Sequence, residues 1–185
     1  MKRLFVAIKI KPETCFLDQF DELKMGLKHE KIKWVEPSNL HLTLKFFGET
    51  QEDKIPEIVN ALKLGLEKHN KFSLQISTLG IFGSQYNPKL IWAGLQNTNP
   101  LMQLVSSVHT ELDKIGYFQD RQNFVPHLTL GRIKNLSDKN LFQNIISKYK
   151  ESYFQEIFVE EVYLFESTLT KLGPLYQIIE KIDLD

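Results

Sequence analysis

Apolar residues recur along this chain with two spacings, strict alternation and the three-to-four-residue step of a helix, and the two take turns. Residues 4–10 are rich in β-formers and read as an opening strand, with Arg3, Phe5, Ala7 and Lys9 on one face. Lys11-Pro12-Glu13-Thr14 then opens a helix, proline at or near its first position, whose buried stripe is Phe16, Phe20, Leu23 and Leu27. Ile32, Trp34 and Val35 form a short strand stopped by Pro37-Ser38-Asn39, and a further strand ends at Phe47-Gly48. Ile55, Ile58, Val59, Leu62 and Leu66 mark a second amphipathic helix. Strands follow at 72–82 and 90–95, with a turn at Gly83, Ser84, Asn87 and Pro88. Leu101, Leu104, Val105, Val108, Leu112 and Ile115 give a third helix that Gly116 stops. After another strand, Ser137 caps a fourth helix with Leu141, Phe142, Ile145, Ile146 and Tyr149 as its buried positions. Two long β runs, 154–165 and 175–182, close the chain around a turn at Gly173-Pro174. Taken coarsely, two similar helix–strand–helix halves follow one another without a linker. The class is therefore α+β, with two similar sheet-bearing lobes fused in one domain over residues 1–185.

The strand in the middle of each half carries the same tetrapeptide, His41-Leu42-Thr43-Leu44 and His127-Leu128-Thr129-Leu130. Strand side chains alternate between faces, so each His shares a face with the Thr two positions on, while the leucines point to the core. The His/Thr face pairs a group that titrates near neutral pH with a hydroxyl that can donate to an anion. If the halves pack symmetrically, two imidazoles and two hydroxyls converge on one cleft, an acid–base site for a phosphate ester. Spacing alone leaves an equal alternative, two ordinary strands each with one solvent-facing His and Thr. The duplicated surroundings favour the shared cleft.

Composition narrows the field further. The chain has 185 residues, 42% hydrophobic and 25% charged, an ordinary balance for a soluble globular protein. Its 23 basic and 23 acidic residues cancel, which excludes coating nucleic acid by bulk charge but leaves room for a local basic cleft. Cys15 is the single cysteine, so no internal disulfide forms, and its place among apolar helical residues reads as a buried inert thiol. The opening residues lack the apolar core of a signal peptide and no run is long enough to span a membrane, so a cytoplasmic, soluble monomer is expected. His29 and His69 fall near the ends of the first two helices, and His109 lies one position off the third helix's stripe, a surface reading; none is assigned chemistry.

The residues resemble a known family across the whole chain, the bacterial and archaeal RNA 2′,3′-cyclic phosphodiesterases of the 2H phosphoesterase superfamily, also called 2′-5′ RNA ligases. The resemblance rests on Arg3-Leu4-Phe5-Val6-Ala7-Ile8, on 39–48 and 124–132 around the two HxT motifs, on Pro88-Lys89-Leu90-Ile91-Trp92, and on 162–167 through Gly173-Pro174-Leu175-Tyr176. At Lys89 an Arg is more usual in that family. The resemblance implies a bilobal fold with a central groove, a cytoplasmic location, and hydrolysis with no metal or nucleotide cofactor. It implies an RNA ending in a 2′,3′-cyclic phosphate, or a related cyclic nucleotide, as substrate.

Opening a 2′,3′-cyclic phosphate needs a base to activate water and an acid to protonate the departing ribose oxygen. His41 and His127 are the catalytic candidates, and Thr43 and Thr129 the donors to non-bridging oxygens. Because both motifs are identical, the residues leave open which imidazole is acid and which is base. Arg132 matches the family's phosphate contact, yet it lies five positions after His127, where strict alternation sends it to the leucine face; a bulge at Gly131 would return it to the groove. By resemblance the product is a 2′-phosphate, with a reversible ligation that joins a 5′-hydroxyl in a 2′-5′ linkage as a side activity. Aromatic residues at strand edges, Phe5 and Phe47 among them, are more often core than base-stacking platforms. Three rivals remain: a metal hydrolase, for which neither motif carries a carboxylate or third ligand; a non-catalytic nucleotide- or RNA-binding module; and a phosphodiesterase acting on ADP-ribose cyclic phosphate.

Overall fold

A computed structural model describes residues 1–119, 124–171 and 173–185. Nine strands and four helices follow one another among them: β1 (Lys2–Lys9), α1 (Thr14–Gly26), β2 (Lys31–Trp34), β3 (His41–Thr50), α2 (Ile55–Leu66), β4 (Phe72–Ser84), β5 (Asn87–Gln96), α3 (Asn99–Lys114), β6 (His127–Asn135), α4 (Lys139–Lys148), β7 (Tyr153–Val159), β8 (Glu161–Leu169) and β9 (Pro174–Asp183). The strands form two sheets, a first in the order β3-β1-β8-β9 and a second in the order β2-β6-β5-β4-β7. Every pairing is antiparallel. The sheets approach each other where β3 faces β6.

The α+β class and the two sheets agree with the alternation read from the chain, but the sheets are not the two sequence halves. Strand β4, from the first half, sits in the second sheet, and β8 and β9, from the second half, sit in the first. Each half thus lends strands to the other's sheet, and one continuous core results. Leu42 and Leu44 of β3 and Leu128 and Leu130 of β6 are all buried in it, beside Phe16 and Phe20 of α1, Ile58 and Leu62 of α2, and Leu104 and Val108 of α3. Full burial of each such leucine stabilises by roughly 1.5–3 kcal/mol, which ties the orientation of both HLTL strands to the core. A slip of one residue would put four leucines in the groove.

Several local expectations are corrected. The β run 154–165 is two strands in different sheets, broken at Glu160, whose carbonyl accepts from Leu184 N at 2.8 Å. Apolar alternation continues across the break, so it gave no signal there. Pro12 lies near the start of α1 but outside it, ahead of the N-cap residue Glu13. Asp138, not Ser137, caps α4, its carboxylate accepting from Leu141 N at 2.9 Å. Ser137 instead donates its hydroxyl to Glu30 Oε1 at 3.0 Å. Leu141 is exposed, and Cys15 is exposed too, its thiol turned to the Phe154 carbonyl at 3.1 Å. Among the described residues no helix is long and apolar enough to cross a membrane.

Candidate active site

Both HLTL strands are bulged, and at the same place. Against β1, Thr43 pairs with Ala7 and Lys45 with Val6, so Leu44 has no partner of its own. Against β5, Thr129 pairs with Trp92 and Gly131 with Ile91, leaving Leu130 extra. A bulge of this kind turns two successive side chains toward one face before alternation resumes. The burial follows: His and Thr half-exposed, the leucines buried, then a second buried residue, then an exposed one. That exposed sixth position is Phe46 in one strand and Arg132 in the other. Arg132 therefore returns to the His/Thr face. The bulge closes the difficulty that strict alternation raised.

Gly131 is required at the second buried position of β6. A Cβ there would lie 2.8 Å from Trp34 Cε3 and 2.9 Å from Ile32 Cγ2, so the side chains of β2 occupy the space. In β3 the corresponding residue is Lys45, buried, with its ammonium donating to the Phe118 carbonyl at 2.7 Å. The carbonyls of the two extra residues find different partners. Leu130 O accepts from Val35 N at 2.8 Å. Leu44 O accepts from His109 Nε2 at 3.1 Å. His109 is thus a buried helical histidine, only 7% exposed, which corrects its reading as a surface residue.

The two imidazoles are held alike. His41 Nδ1–H donates to the Asn39 carbonyl at 2.7 Å, and His127 Nδ1–H donates to the Val125 carbonyl at 2.8 Å. A carbonyl can only accept, so each ring keeps its proton on Nδ1 and presents Nε2 for chemistry. Each ring also meets an aromatic edge-on, His41 against Tyr176 at 5.2 Å and His127 against Phe82 at 4.8 Å between centroids. His41 has a second neighbour, Phe5, at 5.0 Å. Burial pushes the His41 imidazole below its ordinary value; the hydrogen bond to Asn39 opposes this, and the positive charges of Arg132 and His127 add to it. The charges of Arg132 and His127 are thus felt at His41 across the β3–β6 approach, and Thr43 and Thr129 lie on the same faces of their strands as the two histidines.

Of the aromatic residues near the two histidines, the sequence reading weighs only Phe5, as core against a base-stacking platform. Phe5, Ala7 and Phe165 form a small apolar cluster of their own, with Tyr163 and Tyr176 packed on it. Burial pushes the Tyr176 phenol up, against the opposing charges of Arg132 and Arg3, so it stays a neutral donor at the groove. The sequence signal for Tyr176 was its place in the closing stretch after Gly173-Pro174, but nothing in the spacing said that β9 would curl over to reach His41. On the second sheet, Trp92 lies flat over Gly80, where a Cβ would come within 2.3 Å of the indole. Phe47 packs instead against Tyr117 at 5.2 Å and belongs with the core. Among the described residues no three His, Cys, Asp or Glu side chains come together in a way that could hold a metal ion.

The duplicated strand also appears in comparison with known proteins. The LigT-like phosphoesterase family pattern matches this chain twice, over residues 10–92 and 95–176, one match for each HLTL strand. A Methanocaldococcus jannaschii protein named RNA 2′,3′-cyclic phosphodiesterase is 35% identical over 179 residues, covering 97% of this chain and 99% of its own. A Thermotoga maritima protein of the same name is 34% identical over 179 residues, with 96% and 92% covered. Among solved structures, a Thermus thermophilus protein superposes with a TM-score of 0.79 at 24% identity, covering 98% of this chain and 97% of that one. Escherichia coli LigT complexed with 3′-AMP does so at 0.75 and 23%, covering 99% and 98%; these two likenesses speak for the fold. With the doubled match, the full-length relatives and the bulged HLTL pair in agreement, the chain belongs to the LigT-like phosphoesterase family of the 2H superfamily.

Proposed function

We propose that this protein hydrolyses RNA ends bearing a 2′,3′-cyclic phosphate to 2′-phosphate ends, with His41 and His127 as a base and acid pair. Water forms the new P–O bond while the P–O3′ bond breaks; one Nε2 takes the proton from water and the other gives its proton to O3′. Thr43, Thr129 and Arg132 hold the non-bridging oxygens, where charge builds in the transition state. The reading is carried by one observation: both rings are held on Nδ1 by backbone carbonyls, which leaves each Nε2 to exchange a proton with a substrate. The names of the full-length relatives support the substrate.

The roles divide by environment. An imidazole held neutral by burial suits the base, so His41 activates water and His127 protonates O3′. A cyclic substrate with sulfur in place of O3′ tests the assignment, because a thiolate leaves without a proton. His127→Ala should recover turnover on it and His41→Ala should not. With a 5′-hydroxyl in place of water, the same two groups would form a P–O5′ bond as P–O3′ breaks, which gives a 2′-5′ linkage; cleavage of that linkage back to the cyclic phosphate is the reverse step.

Two imidazoles with no third donor favour a metal-free reaction. Adenosine 2′,3′-cyclic phosphate incubated in excess chelator should give 2′-AMP at an undiminished rate; 3′-AMP as product, or loss of rate in chelator, overturns the reading. The reading takes the chain as a cytoplasmic monomer of one domain. Competition between RNA ends and ADP-ribose cyclic phosphate tests the related substrate.

A further inference from the structure

The exposed position after each bulge is filled differently, and the first sheet makes up the difference from a neighbouring strand. In β6 that position is Arg132. In β3 it is Phe46, 45% exposed, and the guanidinium of Arg3 from β1 lies over its ring, 5.0 Å from the centroid. Arg3 belongs to the groove face of β1: Phe5 and Ala7 on the same face form the groove-side cluster, while Leu4, Val6 and Ile8 enter the core. Its charge, like that of Arg132, is felt at the Tyr176 phenol.

Neither guanidinium is neutralised by a carboxylate among the described residues. Glu166 of β8, opposite Leu4 in the β1–β8 register, is taken by Lys2 at 2.9 Å. Glu49, opposite Arg3 in the β1–β3 register, makes no ion pair with it. In a chain whose formal charge is zero, an arginine left unpaired on an aromatic face beside the reacting groups is a site for an anion. Arg3 is displaced from the imidazole along the strand. Phe5 touches His41, and Arg3 is two residues beyond it, about 7 Å further along β1.

We propose that Arg3, seated on Phe46, binds the 5′-phosphodiester of the terminal nucleoside, one nucleotide upstream of the cyclic phosphate. This rests on the function proposed above and deepens it: the preferred substrate is an oligonucleotide end, or a nucleotide that also carries a 5′-phosphate, rather than a bare nucleoside cyclic phosphate. The RNA then runs over the β1–β3 edge of the first sheet with its 3′ end in the groove, and the terminal ribose spans Arg3 and the two histidines. A planar guanidinium suits this position because it can present two parallel donors to a phosphate while its face stays on the ring.

The test compares three substrates ending in a 2′,3′-cyclic phosphate: adenosine alone, adenosine with a 5′-phosphate, and the dinucleotide ApA. Arg3→Gln should lower kcat/KM about tenfold on the two that carry a 5′-phosphate and leave the bare nucleoside within about twofold. The salt dependence of log KM for the dinucleotide should flatten by about 0.7, the share of one phosphate contact on a single strand. Arg3→Lys should keep part of the preference, since charge remains but the fork is lost. An equal loss on all three substrates, or no loss on any, overturns the proposal. Binding of 2′-AMP and of ApA 2′-phosphate, followed by calorimetry, reads the same preference without turnover. If the wild type turns over none of the substrates, the hydrolytic reading fails on its own, and the affinity difference still decides the role of Arg3.

Discussion

The two HLTL strands share a sequence, a bulge and a histidine tautomer, yet the strand in the first sheet is an edge and the strand in the second is not. β6 has β2 alongside, so the carbonyl of its extra residue, Leu130, is met by the Val35 amide. β3 has no strand outside it, and a side chain from α3, His109, meets the carbonyl of Leu44 instead. An unpaired edge with a bulge is where a strand most easily loses its register. One fold thus holds the same His/Thr arrangement by a backbone ladder in one lobe and by a buried imidazole in the other. The comparison teaches that the duplicated chemistry is kept by position, not by duplicated support.

The largest way to break the symmetry is to remove one ring at a time. His41→Ala and His127→Ala should each lower kcat by about 10²–10⁴-fold on a cyclic nucleotide while far-UV circular dichroism and Tm stay near wild type. Near wild-type turnover in His41→Ala would end the paired mechanism. Next in size is the sixth position of each strand. Arg132→Ala should cost about 10²–10³-fold in kcat, as loss of one preorganised donor does. Phe46→Ala, its counterpart, should leave bare nucleoside cyclic phosphate turnover within about twofold. Equal losses from the two would mean that position six is structural in both strands.

Much of this was legible in the chain, for reasons that can be stated residue by residue. Alternation in β3 and β6 placed His and Thr on one face because leucine burial enforces it, and the 3.6-residue stripes of α2 and α3 fall where the core is. What could not be read is what depends on the partner strand. Gly131, beside the bulge after Thr129, leaves the room that Trp34 fills, a contact between residues almost a hundred positions apart. His109 misled because its neighbours in the sequence put it beside the stripe, and the acceptor that buries it, Leu44 O, lies on another element. The exchange of β4, β8 and β9 between the sheets leaves no trace in local periodicity either.

Smaller effects sharpen the contrast in support. His109→Ala strands the Leu44 carbonyl in the core and opens a void, so a loss of about 1–3 kcal/mol is expected, read as a fall in Tm of roughly 2–4 °C for each kcal/mol. Gly131→Val forces its side chain into Trp34 and Ile32 and should cost about as much through overpacking. The two should differ in activity. Gly131→Val moves Arg132 with the bulge and should lower kcat, whereas His109→Ala acts on β3 and should leave the salt and chelator responses of the remaining activity unchanged.

The smallest effect concerns pH, and here the asymmetry between the two rings decides the sign. The base must be neutral, so kcat/KM falls as pH drops through the His41 value in the free enzyme. Burial is the first cause that lowers it, with the charges of Arg132 and His127 behind, so the acid limb should lie below the ordinary imidazole value of 6.5. Arg132→Gln removes one of the charges and should shift the residual activity's acid limb upward, without reaching the ordinary value because burial persists. Tyr176→Ala opens the His41 ring to water from the side where β9 covers it and should shift the limb further up, whereas Tyr176→Phe keeps the cover and should leave it in place. An acid limb that moved with Arg132→Gln but not with Tyr176→Ala would mean that charge, not desolvation, keeps His41 neutral, and the division of acid and base between the two otherwise matched strands would then rest on the side of the groove that carries the arginine.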